Sequence, residues 1–248
     1  MIILIDIGNS RITIGKSRDG KTIGKVYYLS TEKAKSSDEY ALTLKEMIKE
    51  PKRVVISSVV PELNEVFRDF FQNYHGIEPI FLGVGVKTGI KIQADNPKEV
   101  GGDLIANSVG AVNHYASDCL VIDLGTATTF TYIENKTIKG VIITPGLSTS
   151  RDALVMKTSL LPQVELEKPK KLLGKNSVDC IKSGLMYGHA SMIDGFVRRI
   201  KNEIRKPDLS VILTGGHAHL VHSLCEETIE LDKRLILKGL LLISELNA

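Results

Sequence analysis

Two short stretches of this chain, Asp6-Ile7-Gly8-Asn9 and Asp123-Leu124-Gly125-Thr126, each put a carboxylate at the end of an apolar run and follow it with a glycine. A carboxylate held there can position a divalent cation, directly or through the cation's water shell. A glycine leaves backbone N–H groups open to the approach of a phosphate oxygen. The chemistry such a pair could serve is the handling of a polyphosphate. One Asp-x-Gly alone is a common tight connection between strands, in which both residues serve geometry. Two copies in matching context, joined by Thr214-Gly215-Gly216 as a flat surface for a base, carry more information than any one of them.

The elements that must hold these residues show the same duplication. "LIDIGNSRITIGK" (4–16) aligns with "VIDLGTATTFTYI" (121–133), each reading as a buried strand, a turn and an alternating second strand. "RVVISSVVPELNEVFRDFF" (53–71) and "SVILTGGHAHLVHSLCEE" (210–227) each run from a β-branched strand through small residues into a helical pattern. Unbroken apolar runs such as Leu120–Ile122 and Val211–Leu213 suit strands covered on both faces, as in α/β folds. Helical patterns fill 30–50, 96–115 and 177–204; the last has Ile181, Leu185, Met192, Phe196 and Ile200 on one face. Its Gly184 and Gly188 permit close approach by another helix, in a packed core or a dimer seam. We expect two domains, 1–116 and 117–248, each with a mixed sheet flanked by helices and with a cleft between them.

Composition narrows the class of protein. Of 248 residues, 43% are hydrophobic and 25% charged, enough for a sizeable core. The net charge of +3 is small and the basic residues are scattered, so neither nucleic acid nor a membrane surface is an expected partner. The N-terminal "MIILIDIG" has no basic segment before it and meets an aspartate, so it reads as a strand and not a signal peptide. Cys119, Cys180 and Cys225 are odd in number and far apart, which favours free thiols and the cytoplasm.

Other phosphate and metal motifs fail. "GVGVKTG" (83–89) has Val86 where a P-loop needs glycine before its lysine, and no GxGxxG opens a dinucleotide-binding helix. His217, His219 and His222 have no carboxylate or thiol at familiar ligand spacing, so a helix-surface group is the better reading than a zinc site.

The chain resembles the type III pantothenate kinases, of the acetate and sugar kinase, heat-shock chaperone and actin superfamily. The resemblance rests on "DIGNSRITIG", "DNPKEVGGDLIAN", "DLGTATT", "PGLSTSRDALVMKTSLLPQVEL", "GKNSVDCIKSGLMYG" and "LTGG", in the family's order and over nearly the whole chain. It implies a duplicated ribonuclease H-like (actin-like ATPase) fold and a homodimer. The implied reaction is ATP-dependent phosphorylation of pantothenate to 4'-phosphopantothenate, the first step of coenzyme A synthesis. It further implies Mg²⁺ and a monovalent cation, K⁺ or NH₄⁺. By motif, Asp6, Ile7, Gly8, Asn9, Ser10, Arg11, Ile12 and Thr13 would bind ATP phosphates, with Asp6 serving Mg²⁺. Gly125, Thr126, Gly215 and Gly216 would complete the nucleotide site, and Asp123 would hold the monovalent cation. Gly101, Gly102, Asp103 and Leu104 would form the acceptor site, with Asp103 as proton acceptor. Ser177, where the family usually has threonine, would reach substrate in the partner subunit.

Two departures touch the acceptor site. The family usually continues Gly-Ala-Asp-Arg where this chain has Gly101-Gly102-Asp103-Leu104, and has an aromatic residue, often tyrosine, in place of Ala94. Losing an arginine's charge-assisted hydrogen bond costs roughly 1.5–3 kcal/mol; Lys91, Lys98 and Arg151 are the cations that could compensate. Two alternatives follow: a kinase of this fold for another small alcohol, or a non-catalytic nucleotide-binding accessory protein. Keeping Asp6, Asp123 and Asp103 together argues against the second.

Overall fold

In the computed structural model, which describes residues 1–248 apart from the side chain of Lys98, the chain divides into two compact units. One comprises Met1–His114, Lys136–Ile138 and Arg234–Ala248; the other comprises Tyr115–Asn135 and Lys139–Lys233.

In the first unit, β1 (Ile2–Ile7) and β2 (Arg11–Ser17) form an antiparallel hairpin. With β3 (Val26–Ser30), β4 (Arg53–Ser58) and β5 (Ile80–Phe81) they make a sheet of order β3-β2-β1-β4-β5, with β4 parallel to β1. Strand alternation sorts the side chains. Ile3, Ile5, Ile7, Ile12, Ile14, Val54 and Ile56 pack with Tyr40, Phe67 and Phe71 from α1 (Ser37–Leu44) and α2 (Glu62–His75). Leu4 and Val55 face the other way, against Ile105, Val109, Leu237 and Leu240 from α3 (Gly102–His114) and α7 (Leu235–Leu246). Cover on both faces is why β1 carries so few polar residues.

The helix read over 30–50 is shorter than its pattern suggests. Ser36 opens α1 with a capping box to Glu39. Past α1 the chain tightens, Glu50 takes a left-handed φ of 47°, and Pro51 follows.

The second unit repeats the plan. β7 (Cys119–Leu124), β8 (Ala127–Glu134), β9 (Thr137–Pro145), β10 (Ser210–Thr214) and β11 (Glu230–Leu231) run in the order β9-β8-β7-β10-β11, the order of the first sheet. Leu120, Ile122, Leu124, Val211 and Leu213 pack on Leu147 of α4 (Leu147–Lys157) and on Ile181, Leu185, Met186, Ile193 and Val197 of α5 (Ser177–Glu203). The first residues of β9 belong with the first unit, where Thr137 and Ile138 pair with β6 (Lys91–Ile92). The helical pattern after Thr214 amounts to one turn, α6 (Ala218–Val221), followed by a 3₁₀ turn over 222–224.

Candidate active site

Asp6 is the penultimate residue of β1, level with Thr13 on β2 and Ser57 on β4. Its neighbours Ile5 and Ile7 belong to the core under α1 and α2, so Asp6 projects to the opposite face, that of α3. Thr13 lies between Ile12 and Ile14 and Ser57 follows Ile56, so the same alternation puts both hydroxyls on that face. The Ser57 Oγ is buried and has no hydrogen-bond partner. Against it comes the start of α3: a methyl group on Gly102 would stand 3.3 Å from Ser57 Oγ and from Leu82 Cβ. A methyl on Gly101 would collide with the Asp103 carboxylate. Gly102 thus lets the start of α3 close on Ser57 of β4, and the part-buried Asp103 follows it in the first turn of the helix.

Burial pushes the Asp103 carboxyl above the usual carboxylate range. The Leu104 N–H donates to Asp103 Oδ1 at 2.8 Å and pulls the other way, but burial dominates.

The turn after β1 is tied from within and from the side. The Gly8 N–H donates to Arg11 O at 3.0 Å, the Thr31 hydroxyl donates to Gly8 O at 2.6 Å, and the Thr31 N–H donates to Ser10 O at 3.3 Å. Asn9, Ser10 and Arg11 are exposed at its tip, with the Arg11 guanidinium 4.8 Å above the Tyr28 ring. Ile7 and Ile12 have their side chains in the core, which leaves only their backbone for a phosphate.

The second unit builds a matching corner. Asp123 is level with Thr129 on β8 and Thr214 on β10, as Asp6 is with Thr13 and Ser57. Gly215 has φ of 97°, and a side chain there would overlap the Asp123 carboxylate and the Leu124 backbone. The Gly125 N–H donates to Ala127 O at 3.0 Å. Thr126 O accepts from the Gly146 N–H at 3.0 Å and from the Thr149 hydroxyl at 2.6 Å, leaving the Thr126 side chain exposed. Gly216 is part-exposed beside Gly215, and the His217 N–H donates to Leu124 O at 3.2 Å. Ser177, the first residue of α5, is exposed; Asn176 caps that helix by accepting from the Asp179 N–H at 2.9 Å.

Sequence reasoning passed over Ser57 and named Thr214 only as part of the Thr214-Gly215-Gly216 surface, not as the hydroxyl residue beside Asp123. The signal was available: they occupy matching places in "VVISS" and "VILTG", late in otherwise apolar strands.

The type III pantothenate kinase profile matches residues 2–199 of this chain. The chain belongs to the type III pantothenate kinase family. A type III pantothenate kinase of Acholeplasma laidlawii is 44% identical, the match covering 100% of this chain and 99% of the relative. One of Shouchella clausii is 41% identical over the full length of both. MreB 5 of Spiroplasma citri, an actin-like protein solved with AMPPNP, superposes with a TM-score of 0.54 at 9% identity, covering 98% of this chain and 96% of that one. That likeness shows the fold: an actin-like α/β architecture with two sheets flanked by helices.

The two positions at which the chain departs from the family's usual motif are Leu104 and Ala94. Leu104 is half-buried in the first turn of α3, and Ala94 is exposed in the loop after β6. Of the cations that could compensate, Lys91 is exposed on β6 and Arg151 pairs with Asp152 at 2.8 Å; the side chain of Lys98 lies outside the described residues.

The residues fit the metal the kinase family implies. Among the described residues no cluster of three His, Cys, Asp or Glu could form an all-protein cage. Mg²⁺ is commonly held by one or two carboxylates, waters and substrate phosphates. Asp6, with the unpartnered Ser57 Oγ on the same face, suits that mode.

Proposed function

We propose that this chain transfers the γ-phosphoryl group of ATP to the primary hydroxyl of pantothenate, opening coenzyme A synthesis, with Asp103 as proton acceptor. The observation that carries the assignment is the part-buried Asp103 carboxyl in the first turn of α3, directly after Gly102, which packs against Ser57, the residue level with Asp6 on the neighbouring strand. Phosphoryl transfer asks for an acceptor oxygen in line with the γ-phosphate and for charge compensation around it. As the new O–P bond forms and the bond to the ADP oxygen breaks, the acceptor's proton passes to Asp103. A carboxylate whose affinity for protons is raised by burial is a better base for that step than a solvated one.

The exposed 8–11 turn would bind phosphate through its backbone N–H groups, with Thr13 and Asp6 beneath it. Thr126, Gly125, Gly215 and Gly216 would serve the nucleotide from the second unit. Mg²⁺, held by Asp6, would supply charge neutralisation on the phosphates; Asp123 would hold K⁺ or NH₄⁺. Leu104 gives the acceptor's carboxylate no charged partner, so the pantothenate KM should be high for the family.

A homodimer is supported by α5, whose Gly184 and Gly188 are exposed with no atom within 4 Å of where a side chain would begin. Ser177, at the head of that helix, would enter the partner's acceptor site. The three free cysteines suit the reducing cytoplasm, and no helix among the described residues is long and apolar enough to cross a membrane.

The test is ATP turnover by purified protein with pantothenate and a panel of small alcohols, with and without K⁺. Turnover should require pantothenate, and Asp103→Asn should lower kcat by roughly 10²–10⁴-fold while nucleotide affinity stays within about twofold. Turnover with a different alcohol alone would replace the acceptor. Full activity in Asp103→Asn would remove the base.

A further inference from the structure

A pocket of ≈ 430 Å³ opens on the first unit, between the Gly20–Ile23 turn and the outer side of α7, with His114 from the last turn of α3. The direction of its walls follows from four contacts. A methyl on Gly20 would lie 3.9 Å from Glu245 Oε1, and the Arg234 guanidinium donates to Ile23 O at 3.2 Å, so the turn runs alongside α7 in the opposite sense. Helices α3 and α7 are also antiparallel, because Gly110 closes on Leu235 and Ala106 closes on Gly239. His114, one turn beyond Gly110, therefore comes to the Arg234 end.

Residues one turn apart on α7 share a side, so the pocket is graded along its length. Arg234 and Lys238 stand at the His114 end, Leu241 and Leu242 follow, and Glu245 closes the far end. Lys21 follows Gly20 in the turn, on the side of Glu245, and lines the trough from there. The volume lies in the lower part of the roughly 300–1,000 Å³ range of small-molecule sites.

The geometry points to a binding site for a small amphipathic organic acid. Its carboxylate lies against Arg234, Lys238 and His114; its aliphatic body lies on Leu241 and Leu242; a hydrogen-bond donor at its far end reaches Glu245. Cations clustered at one end of an apolar trough select an anion and reject an amine of the same length. The site lies at the opposite end of α3 from Asp103, roughly 16 Å along the helix at 1.5 Å per residue. It does not depend on the catalytic reading.

Calorimetric titration of the full chain at low ionic strength, with hexanoate, 6-aminohexanoate and hexylamine as probes, tests this directly. Hexanoate should bind, 6-aminohexanoate should bind more tightly through its ammonium at Glu245, and hexylamine should give no heat. Lys238→Glu should weaken hexanoate by at least about tenfold, with turnover unchanged. Lys21→Glu, on an exposed turn, should act in the same direction and replaces it should Lys238→Glu fail to fold. Absence of hexanoate binding, equal binding of hexylamine, or unchanged hexanoate affinity in the folded variants would overturn the assignment.

Discussion

Asp103 has an opposed effect on stability and on chemistry, and the opposition can be measured. Burial raises its pKa in the folded chain above the ordinary value of 3.8, so the folded state holds the proton more firmly than the unfolded state does. Stability changes with pH in proportion to the protons bound in the unfolded state minus those bound in the folded state. For this group the difference is negative between the two pKa values. Its contribution therefore falls as pH rises from about 3.8 through the folded value, and stays low above it. Asp103→Asn should thus melt at a higher temperature than the parent at pH 7–8, with the gain shrinking as pH falls towards 4, while turnover is lost. Thermal scans across that range decide it; a variant less stable than the parent at neutral pH would mean that the carboxylate makes a net favourable contact there. At this scale much was legible. The aspartates stand out because charge at the end of an apolar strand is costly without a purpose. Ser57 did not stand out, because a serine in a strand has no such cost until the fold buries its hydroxyl.

At the scale of elements, the repeat read from two hairpins extends to five strands of each sheet, since β3-β2-β1-β4-β5 and β9-β8-β7-β10-β11 have one order, with β6 as an additional edge strand beside β9. The gapless alignment holds only as far as the turns. Asp6 pairs with Thr13 but Asp123 pairs with Thr129, so the second hairpin is one residue shorter, and beyond the glycines the strands match with that offset. Period-2 alternation is nearly blind to such a slip when residues on both faces are apolar. The packing of α3 on α7 was also hidden. Gly110 and Gly239 look like weak points in helical sequence, and only the fold shows that the two backbones meet there. Gly239→Ala makes that contact testable. On an isolated helix the change would stabilise by about 1 kcal/mol, but here the methyl would overlap Ala106 O and stand 3.1 Å from Gly110 N. Overpacking of about 1–3 kcal/mol should outweigh the propensity gain, so urea unfolding should show a net loss. Because α3 carries Asp103, kcat should fall with it. An alanine variant as stable as the parent would mean that the helices part without cost.

At the scale of the whole molecule, the chain ends in the unit where it began: Arg234–Ala248 returns to the first unit and places α7 under β1 and β4. A helix so far along the chain cannot be assigned to its unit by local pattern, because periodicity reports which face is buried and not against what. The same limit applies to α5. It is 27 residues long, roughly 40 Å at 1.5 Å per residue, and buries Ile181, Leu185, Ile193 and Val197 on one side. Its other side shows Cys180, Gly184, Gly188 and Ser191, all exposed. Each interior glycine costs a lone helix about 1 kcal/mol relative to alanine, and nothing within the chain approaches Gly184 or Gly188 to account for it. A second copy laid on this stripe would, since small residues let two helix backbones come close. Gly188→Glu puts a charged side chain in that seam without touching the core. The parent should sediment as a dimer and Gly188→Glu as a monomer of unchanged helix content. With Ser177 then unable to reach a neighbouring site, kcat/KM for pantothenate should fall while nucleotide affinity holds. A variant that remains a fully active dimer would place the seam elsewhere, and a parent that is active as a monomer would leave Ser177 without the role given to it.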